Sequence, residues 1–530
     1  MRSCLSFTAF IPCYNELFSF SGVSIVSESK KSIDLNANKL PKWCRLLLLS
    51  LPVIMSFCHI RFLDNDFFFL YSTGDYIVHR GFPFTDILSM HSSMKIVVHQ
   101  WLSSVIFYYV YNVMGEIGIL LLLYICNIGI IYLTYKLISI ICKNDFISLV
   151  LAGLINFSIF DPFIVTRPQL FTYLILLGEV ILLEKHAQTK DIKYLFGIPA
   201  LSLALVNLHA AMWPMILVFM LPFIAAAIPI KIESFKKEPE GSLKAVATTF
   251  ALSIIVGLLN PYGMDSMLYL TRSYGHESFS IILEMNATNF DASEGKIMLI
   301  YLGAIFLALL LLKKKRFSVR HVLLFAGTLL VGAVQVKGVP YFLLFGVPAI
   351  TYLLEGFDFT GLTKPFKKAV TKRIKILFII LLCGCFFYIG ERRLFQTRDV
   401  REAVMEHREH LNEVIAILDE EQGPIRLYTD FNNGQYFEFY GYYPYIDGRA
   451  EVFVMENNRV YDYFYEYFCH FHGGYYYRDF IDKYQFNYLV IDPGIDSYTY
   501  TNLLRDDDFE LVYSNYDVNL FVRKQPAGQI

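Results

Sequence analysis

The sequence predicts an α-helical membrane protein that crosses the bilayer many times and ends in a small α/β domain outside the membrane. Of its 530 residues, 55% are hydrophobic and only 18% are charged, whereas soluble domains carry about 25% charged residues. Apolar runs long enough to cross a hydrocarbon core of about 30 Å as helices recur up to residue 390. The remaining residues are acidic, and their pattern alternates between helices and strands.

About eleven apolar segments are predicted to span the membrane. They divide the chain into a cytoplasmic leader (1–42), a transmembrane domain (43–390) and a soluble tail domain (391–530). The first span is interpreted as uncleaved, because no small-residue cleavage site follows it. The predicted spans are 43–61, 117–136, 145–162, 168–184, 193–208, 212–230, 245–260, 296–312, 320–335, 339–354 and 373–390.

The charge distribution predicts which side of the membrane each part occupies. The tail domain contains 25 acidic and 13 basic residues, so the rest of the chain is net positive. Basic loops between spans, such as 231–244 and 313–320, belong in the cytoplasm by the positive-inside rule. This places the leader inside and the tail domain outside an inner membrane. Nothing in the composition indicates a nucleic-acid partner.

The segment 96–115 can be a span or a helix that lies in the outer membrane interface. Its polar residues, among them Gln100, Ser104 and Tyr108, follow one side at helical spacing. If it spanned, the leader and the basic loops would fall on opposite sides of the membrane. We therefore predict an interface helix, with a plain span as the alternative. Residues 62–116 then form a large first loop with two surface helices.

The tail domain is predicted to be a small α/β fold. A charged segment at 397–423 has helical periodicity, and further helical segments lie near 453–470 and 474–485. Tyrosines are dense in FYGYYPYIDG and YDYFYEYF. Such clusters can stack on sugars, but core packing is the simpler interpretation. The predicted strands are PIRLYTD, NYLVID, FELVYS and VNLFVRK.

The densest acidic cluster, FLDNDFFFLYSTGDYIVHRGFPFTD at 62–86, follows the first predicted span. Asp64 and Asp66 lie where that span ends. Two close carboxylates near a low-dielectric boundary raise the pKa of one of them, which suits a general base acting on a hydroxyl group. The pair could instead bind a divalent cation or simply cap the next helix. The spacing leaves these alternatives open.

Other polar residues lie in the segments predicted to face outward. Arg167 can hold a phosphate through two N–H groups, or it can snorkel to the interface. His209 can contact a phosphate or a metal, or it can be a hydrogen-bonded structural histidine. Glu284 and Lys337 are candidates for the same site. Weaker candidates are Arg272 and His276. The sequence contains no glycine-rich phosphate loop, HExxH or nucleophile elbow.

These motifs resemble those of the C-type glycosyltransferases, polytopic membrane enzymes that use polyprenyl-phosphate-linked sugars. The first loop is similar to theirs in its acidic pair, in GDYIVHRGFPFTD and in HQWLSSVIFYYVYNVMG, which brings His99 into the expected site. In place of the tryptophans and the late arginine that are common in the most similar bacterial branch, this chain has Phe67–Phe69 and Lys337. Further matches are Arg167-Pro168, Asn207-Leu208-His209, Asn260 to Gly263, Gly434-Gln435-Tyr436 and Asp447-Gly448-Arg449.

The resemblance implies a C-type glycosyltransferase fold and transfer of a sugar from a polyprenyl-phosphate-linked donor to a hydroxyl group of an envelope glycan, lipid or protein. Asp64 or Asp66 would act as the general base. The expected partners are the sugar lipid, the envelope acceptor and membrane lipids. No cofactor is certain from the sequence, and a divalent cation is a possible one. The residues expected to bind substrate are Arg167, His209, Glu284, Lys337 and His99.

Two other functions stay open at this stage. A transporter or flippase for lipid-linked glycans predicts charged residues along a path through the midplane and two related halves. A non-catalytic envelope assembly protein predicts dispersed, dispensable charges on the outer face. The predicted spans contain few charges and no internal repeat is found, so the sequence favours the transferase.

Overall fold

The computed structural model describes residues 42–57, 61–229, 234–235, 239–273, 275–311, 316–355 and 398–524. The predicted leader, apart from its last residue, and the predicted span 373–390 lie outside these residues. We call residues 42–355 the helical domain and residues 398–524 the tail domain. The two domains contact each other through the first loop (62–116), which belongs to the helical domain.

Helices dominate the helical domain, because its apolar segments are long and contain few breakers. Each of the ten predicted spans within the described residues coincides with a helix. The principal helices are α1 (Lys42–Phe57), α2 (Asp66–Arg80), α3 (Trp101–Cys142), α4 (Asp145–Phe163), α5 (Gln169–Thr189), α6 (Gly197–Leu208), α7 (Pro214–Ala226), α8 (Leu243–Gly257), α9 (Ser293–Leu311), α10 (Val319–Val334) and α11 (Val336–Leu354).

Four of the described helices, α3, α4, α9 and α11, are long and apolar enough to cross a membrane. Four shorter apolar helical segments accompany them: Ile192–Leu208, Ala210–Ala226, Leu243–Gly257 and Val319–Val334. The helical membrane fold is therefore as predicted, whereas the number of spans stays a prediction.

A break in α3 separates the segment that we predicted as an interface helix from the span that follows it. Gly115 has φ 61° and ψ −153°, a conformation outside the helical region that is accessible to glycine and unfavourable for other residues. The chain therefore forms one helix over 101–114 and a second over 116–142. The first of these packs against α2. That it lies in the membrane interface stays a prediction.

The tail domain contains a four-stranded sheet in the order β1-β2-β4-β3. β1 pairs with β2 in parallel, and β4 pairs with both β2 and β3 in antiparallel fashion. All four predicted strands are confirmed. The elements are α12 (398–419), β1 (Leu427–Thr429), α13 (Gly434–Phe439), α14 (Met455–Asn458), α15 (Tyr463–Phe471), α16 (Tyr477–Tyr484), β2 (Tyr488–Ile491), α17 (Ser497–Leu503), β3 (Phe509–Ser514) and β4 (Asn519–Arg523).

The tail domain docks on α2 through a shared apolar core. Phe67 and Phe68 of α2 are buried with Leu411 of α12 and Tyr436 of α13. The ring centroids of Phe68 and Tyr436 lie 4.8 Å apart in an edge-to-face arrangement, which is a favoured geometry for aromatic pairs. The phenylalanines that follow the acidic pair are therefore the contact that holds the tail domain beside that pair.

Candidate active site

A cavity of 1090 Å³ lies where the helical domain, the first loop and the tail domain meet. It is lined by the N-terminal end of α2, by the loops that precede α5, α7 and α11, and by residues of the tail domain. The turn at Asn260–Gly263 and the weaker candidates Arg272 and His276 are not among the lining residues. All seven residues predicted for the site line this cavity: Asp64, Asp66, His99, Arg167, His209, Glu284 and Lys337.

Arg167 is the centre of the acidic cluster. Its Nε donates to Asp64 Oδ1 at 2.7 Å and lies 3.0 Å from Asp66 Oδ2. Its Nη1 donates to both carboxylate oxygens of Glu284, at 3.1 and 3.2 Å. One guanidinium therefore holds three carboxylates that are far apart in the sequence, and it compensates part of their mutual repulsion.

Asp64 and Asp66 have different surroundings although only one residue separates them. Asp64 accepts two N–H groups of Arg167 and, at 3.1 Å, the backbone N–H of Asp66, the first residue of α2. It thus also fulfils part of the helix-capping role that the sequence allowed. Asp66 Oδ1 accepts no hydrogen bond from the described residues. Asp66 therefore offers the cavity an unengaged carboxylate oxygen.

The pKa of Asp66 is raised to about 8. Burial is the largest cause, because it disfavours the charged form. Arg167 lowers the pKa, and the neighbouring charges of Asp64, Glu284 and Glu451 raise it. A carboxyl group with such a pKa is a stronger base than an exposed aspartate once it is deprotonated, and it titrates close to physiological pH.

Two of the histidines that line the cavity, His99 and His209, are uncharged at neutral pH. Burial lowers the pKa of His99 to about 4 and that of His209 well below its usual range, with His99 and Lys337 adding to the effect on His209. His209 Nδ1 lies 2.8 Å from Thr172 Oγ1, and His99 stacks on Tyr269 with ring centroids 4.2 Å apart. These residues can hydrogen-bond a ligand, but they do not supply positive charge.

Lys337 has a different character from Arg167. It lies in the first turn of α11 and lines the cavity. Within the described residues it makes no ion pair and no side-chain hydrogen bond. Its charge is therefore available to a ligand, whereas that of Arg167 is already shared among three carboxylates.

The tail domain brings a second charged network to the cavity wall. Arg449 bonds Asp447 through Nε and Nη2, at 2.9 and 2.6 Å, and donates through Nη1 to Asp86 of the first loop at 2.9 Å. Burial, reinforced by the charge of Asp447, raises the pKa of the adjacent Glu438 well above its usual range. This network fastens the first loop to the tail domain.

Gly448 lies beside the unengaged oxygen of Asp66. A Cβ atom at this position would lie 3.3 Å from Asp66 Oδ1 and 3.3 Å from Gln435 Oε1. The backbone N–H of Gly448 donates to Gln435 Oε1 at 2.9 Å. The glycine of the Asp447-Gly448-Arg449 motif therefore keeps the space next to the acid open.

Several lining residues were not predicted from the sequence as site residues. The most informative are Arg408 and Glu451, both from the tail domain. Arg408 does carry a sequence signal, because it shares the cavity-facing side of α12 with Val404 and Leu411, where a helix would normally present only apolar residues. Glu451 has no comparable signal in the sequence.

The acidic pair does not fit a metal site. Carboxylate oxygens are suitable ligands for divalent cations, but those of Asp64, Asp66 and Glu284 converge on a guanidinium instead. Among the described residues, the group of ligand atoms close enough to share an ion is His276, Glu456 and Asp462, and these residues do not line the cavity. We therefore derive no chemical step through a metal.

No protein-family model and no curated protein sequence matches the chain. The fold does match solved structures. The oligosaccharyltransferase of Archaeoglobus fulgidus, tethered to an acceptor peptide with an NVT sequon, aligns over 92% of this chain and 75% of its own, with a TM-score of 0.57 and 12% identity. Its complex with zinc and sulfate aligns over 91% and 74%, with a TM-score of 0.51 and 12% identity.

A third solved structure, ArnT from Cupriavidus metallidurans bound to undecaprenyl phosphate, covers 90% of this chain and 97% of its own. Its TM-score is 0.47 and its identity 10%. The chain therefore shares its fold with the two oligosaccharyltransferase structures, which agrees with the fold that the sequence motifs predicted. At this level of identity the likeness concerns the fold alone.

Proposed function

We propose that the protein is a membrane glycosyltransferase that moves a sugar from a polyprenyl-phosphate-linked donor to a hydroxyl group of an envelope acceptor outside the cytoplasm. The observation that carries this proposal is the convergence of Asp64, Asp66, Arg167 and Lys337 on one cavity in a C-type fold. The cavity combines a candidate base for a hydroxyl acceptor with an available cation and apolar walls for a lipid-phosphate donor.

Asp66 is the proposed general base. Its Oδ1 removes the proton from the acceptor hydroxyl as the acceptor oxygen forms a bond to the anomeric carbon. The bond between that carbon and the donor phosphate breaks, and its electron pair leaves with the phosphate. A single displacement of this kind inverts the anomeric carbon and forms no covalent enzyme intermediate.

Other residues position the base and stabilise the leaving group. Arg167 holds Asp66 and Asp64 in place. It also lowers the pKa of Asp66, so that this carboxyl group loses its proton at a lower pH than it would without the arginine. Lys337 contributes a positive charge for the departing lipid phosphate. His99 and His209 are proposed to orient the sugar through hydrogen bonds.

The two alternative functions are less well supported. An assembly protein would not require the predicted charges to share one cavity. A transporter requires charged groups along a path through the bundle. However, Arg320 of α10 pairs with Glu184 of α5 at 2.8 Å. Glu184 lies about 22 Å along α5 from the first residue of that helix. These buried charges neutralise each other and do not line the cavity.

The direct test is transfer of radiolabelled sugar from polyprenyl-linked lipids to envelope material in membranes that contain the wild-type protein, Asp64→Asn or Asp66→Asn. We expect Asp66→Asn to lose at least about 100-fold of the transfer rate. Asp75→Asn is the matched control, because Asp75 lies on the exposed side of the same helix and its side chain is half exposed. Wild-type activity in both active-site variants would overturn the proposal and would favour the assembly protein.

A further inference from the structure

Four lysine and arginine side chains line the cavity, and two of them are already neutralised. Arg167 is bound by Asp64, Asp66 and Glu284, and Arg449 is bound by Asp86 and Asp447. The other two are Lys337 and Arg408.

Arg408 is buried but has no acidic partner. Only 8% of its surface is exposed. Its Nη2 donates to the backbone oxygen of Leu63 at 2.7 Å and lies 3.4 Å from Asn65 Oδ1, and its guanidinium lies over the ring of Phe68. No carboxylate of the described residues lies within ion-pair distance of it. A buried cation without a counter-charge is costly, so this site is incomplete until an anion binds.

Arg408 lines the cavity and has N–H groups that are free to bind a ligand. Nε and Nη1 donate to no atom of the described residues, yet neither is among the buried polar atoms that are sealed from solvent without a partner. Each of these two nitrogens can donate a charge-assisted hydrogen bond to a phosphate oxygen.

The surroundings of Arg408 suit a lipid phosphate better than a soluble anion. On the same helix, Val404 and Leu411 line the cavity beside it, and Phe62 and Phe163 line the cavity as well. A prenyl chain can cover these apolar side chains while its phosphate meets the guanidinium. A free phosphate or an acidic glycan would leave them exposed.

We infer that Arg408 is a phosphate-binding residue of this cavity, and that the tail domain therefore completes the donor site together with Lys337. This inference rests on the proposed function, since it assigns the phosphate to the lipid-linked donor. It gives the tail domain a part in donor binding as well as any part in acceptor recognition.

The test compares the affinities of farnesyl phosphate and farnesol for the full-length protein in nanodiscs. Wild type should prefer the phosphate. In Arg408→Gln the affinity for farnesyl phosphate should fall about 10- to 100-fold, the loss expected for charge-assisted hydrogen bonds, while the affinity for farnesol stays unchanged. Arg408→Lys keeps the charge with fewer donors and should fall in between. Arg398→Gln is the matched control, because Arg398 is an exposed arginine of the same helix paired with Glu402.

The outcomes separate this inference from the proposed function. If Arg408→Gln and Arg408→Lys weaken both ligands equally, or neither, Arg408 only docks the tail domain and the inference is overturned. If farnesyl phosphate binding is lost in Arg408→Gln but retained in Asp66→Asn, phosphate binding and base catalysis are distinct and the inference is supported. A wild-type protein that does not distinguish farnesyl phosphate from farnesol would contradict both proposals.

Discussion

Replacing Arg167 with glutamine should move the pH dependence of sugar transfer to higher pH. Arg167 Nε lies 3.0 Å from Asp66 Oδ2. At this distance two unit charges attract each other by about 1.4 kcal/mol at the dielectric constant of water and by about 5.5 kcal/mol at an effective value of 20. The loss of this attraction corresponds to a rise of about 1 to 4 pH units in the pKa of Asp66.

The direction of the effect follows from which form of Asp66 is active. The base must be deprotonated, so wild-type activity should rise with pH through about 8, the pKa of Asp66. In Arg167→Gln this rise should occur at least about one pH unit later, with a loss of about tenfold or more at pH 7 that is partly regained toward pH 10. Arg167→Lys keeps a positive charge and should shift the profile less.

The assay is the initial rate of radiolabelled sugar transfer in membranes with matched amounts of each variant. It covers about pH 6 to 10, which is about two units on either side of the expected midpoint. Asp75→Asn should retain the wild-type profile, and Asp66→Asn should be inactive throughout. If Arg167→Gln keeps the wild-type midpoint, Asp66 is not the titrating base and the electrostatic reasoning is wrong.

Three further predictions concern other parts of the site. Lys337→Met should raise the KM for the donor about tenfold with little change in thermal stability, because Lys337 has no partner among the described residues; an unchanged KM would exclude it from donor binding. Gly448→Ala should lower the transfer rate while the tail domain stays folded. Gly434→Ala should instead unfold that domain, because a Cβ atom at residue 434 would lie 2.0 Å from a backbone oxygen. Circular dichroism and transfer rates of the two variants test this contrast. Asp86→Asn should weaken the attachment of the first loop by about 2 kcal/mol and increase proteolysis of the tail domain. If the variant resists protease as well as wild type does, the bond between Asp86 and Arg449 contributes little.

Much of the fold could be predicted from the sequence because its signals are local. The apolar runs become helices, and the four strands of the tail domain lie where short runs rich in β-branched and aromatic residues predict them. The break at Gly115 also lies at the end of the segment 96–115 that the sequence separated from the span at 117–136. The number of spans stays a prediction, because four of the eight apolar helical segments among the described residues have only 10–17 residues.

The site was harder to predict because its contacts are distant in the sequence. Asp64 and Arg167 could be proposed separately, as polar residues next to apolar runs, but their ion pair joins residues 103 positions apart. Arg408 and Leu63 are 345 positions apart. The docking of the tail domain on α2, which creates that contact, depends on the packing of whole surfaces and leaves no short motif in the chain.

The distribution of the cavity walls along the chain has a consequence for biosynthesis. Asp64 is translated 387 residues before Glu451, which at about 5–20 residues per second corresponds to roughly 20–80 s. For the first 344 residues of this interval the nascent chain already carries its acidic pair but lacks Arg408. If the tail domain completes the donor site as proposed, unfinished or truncated chains would not bind the lipid-linked donor.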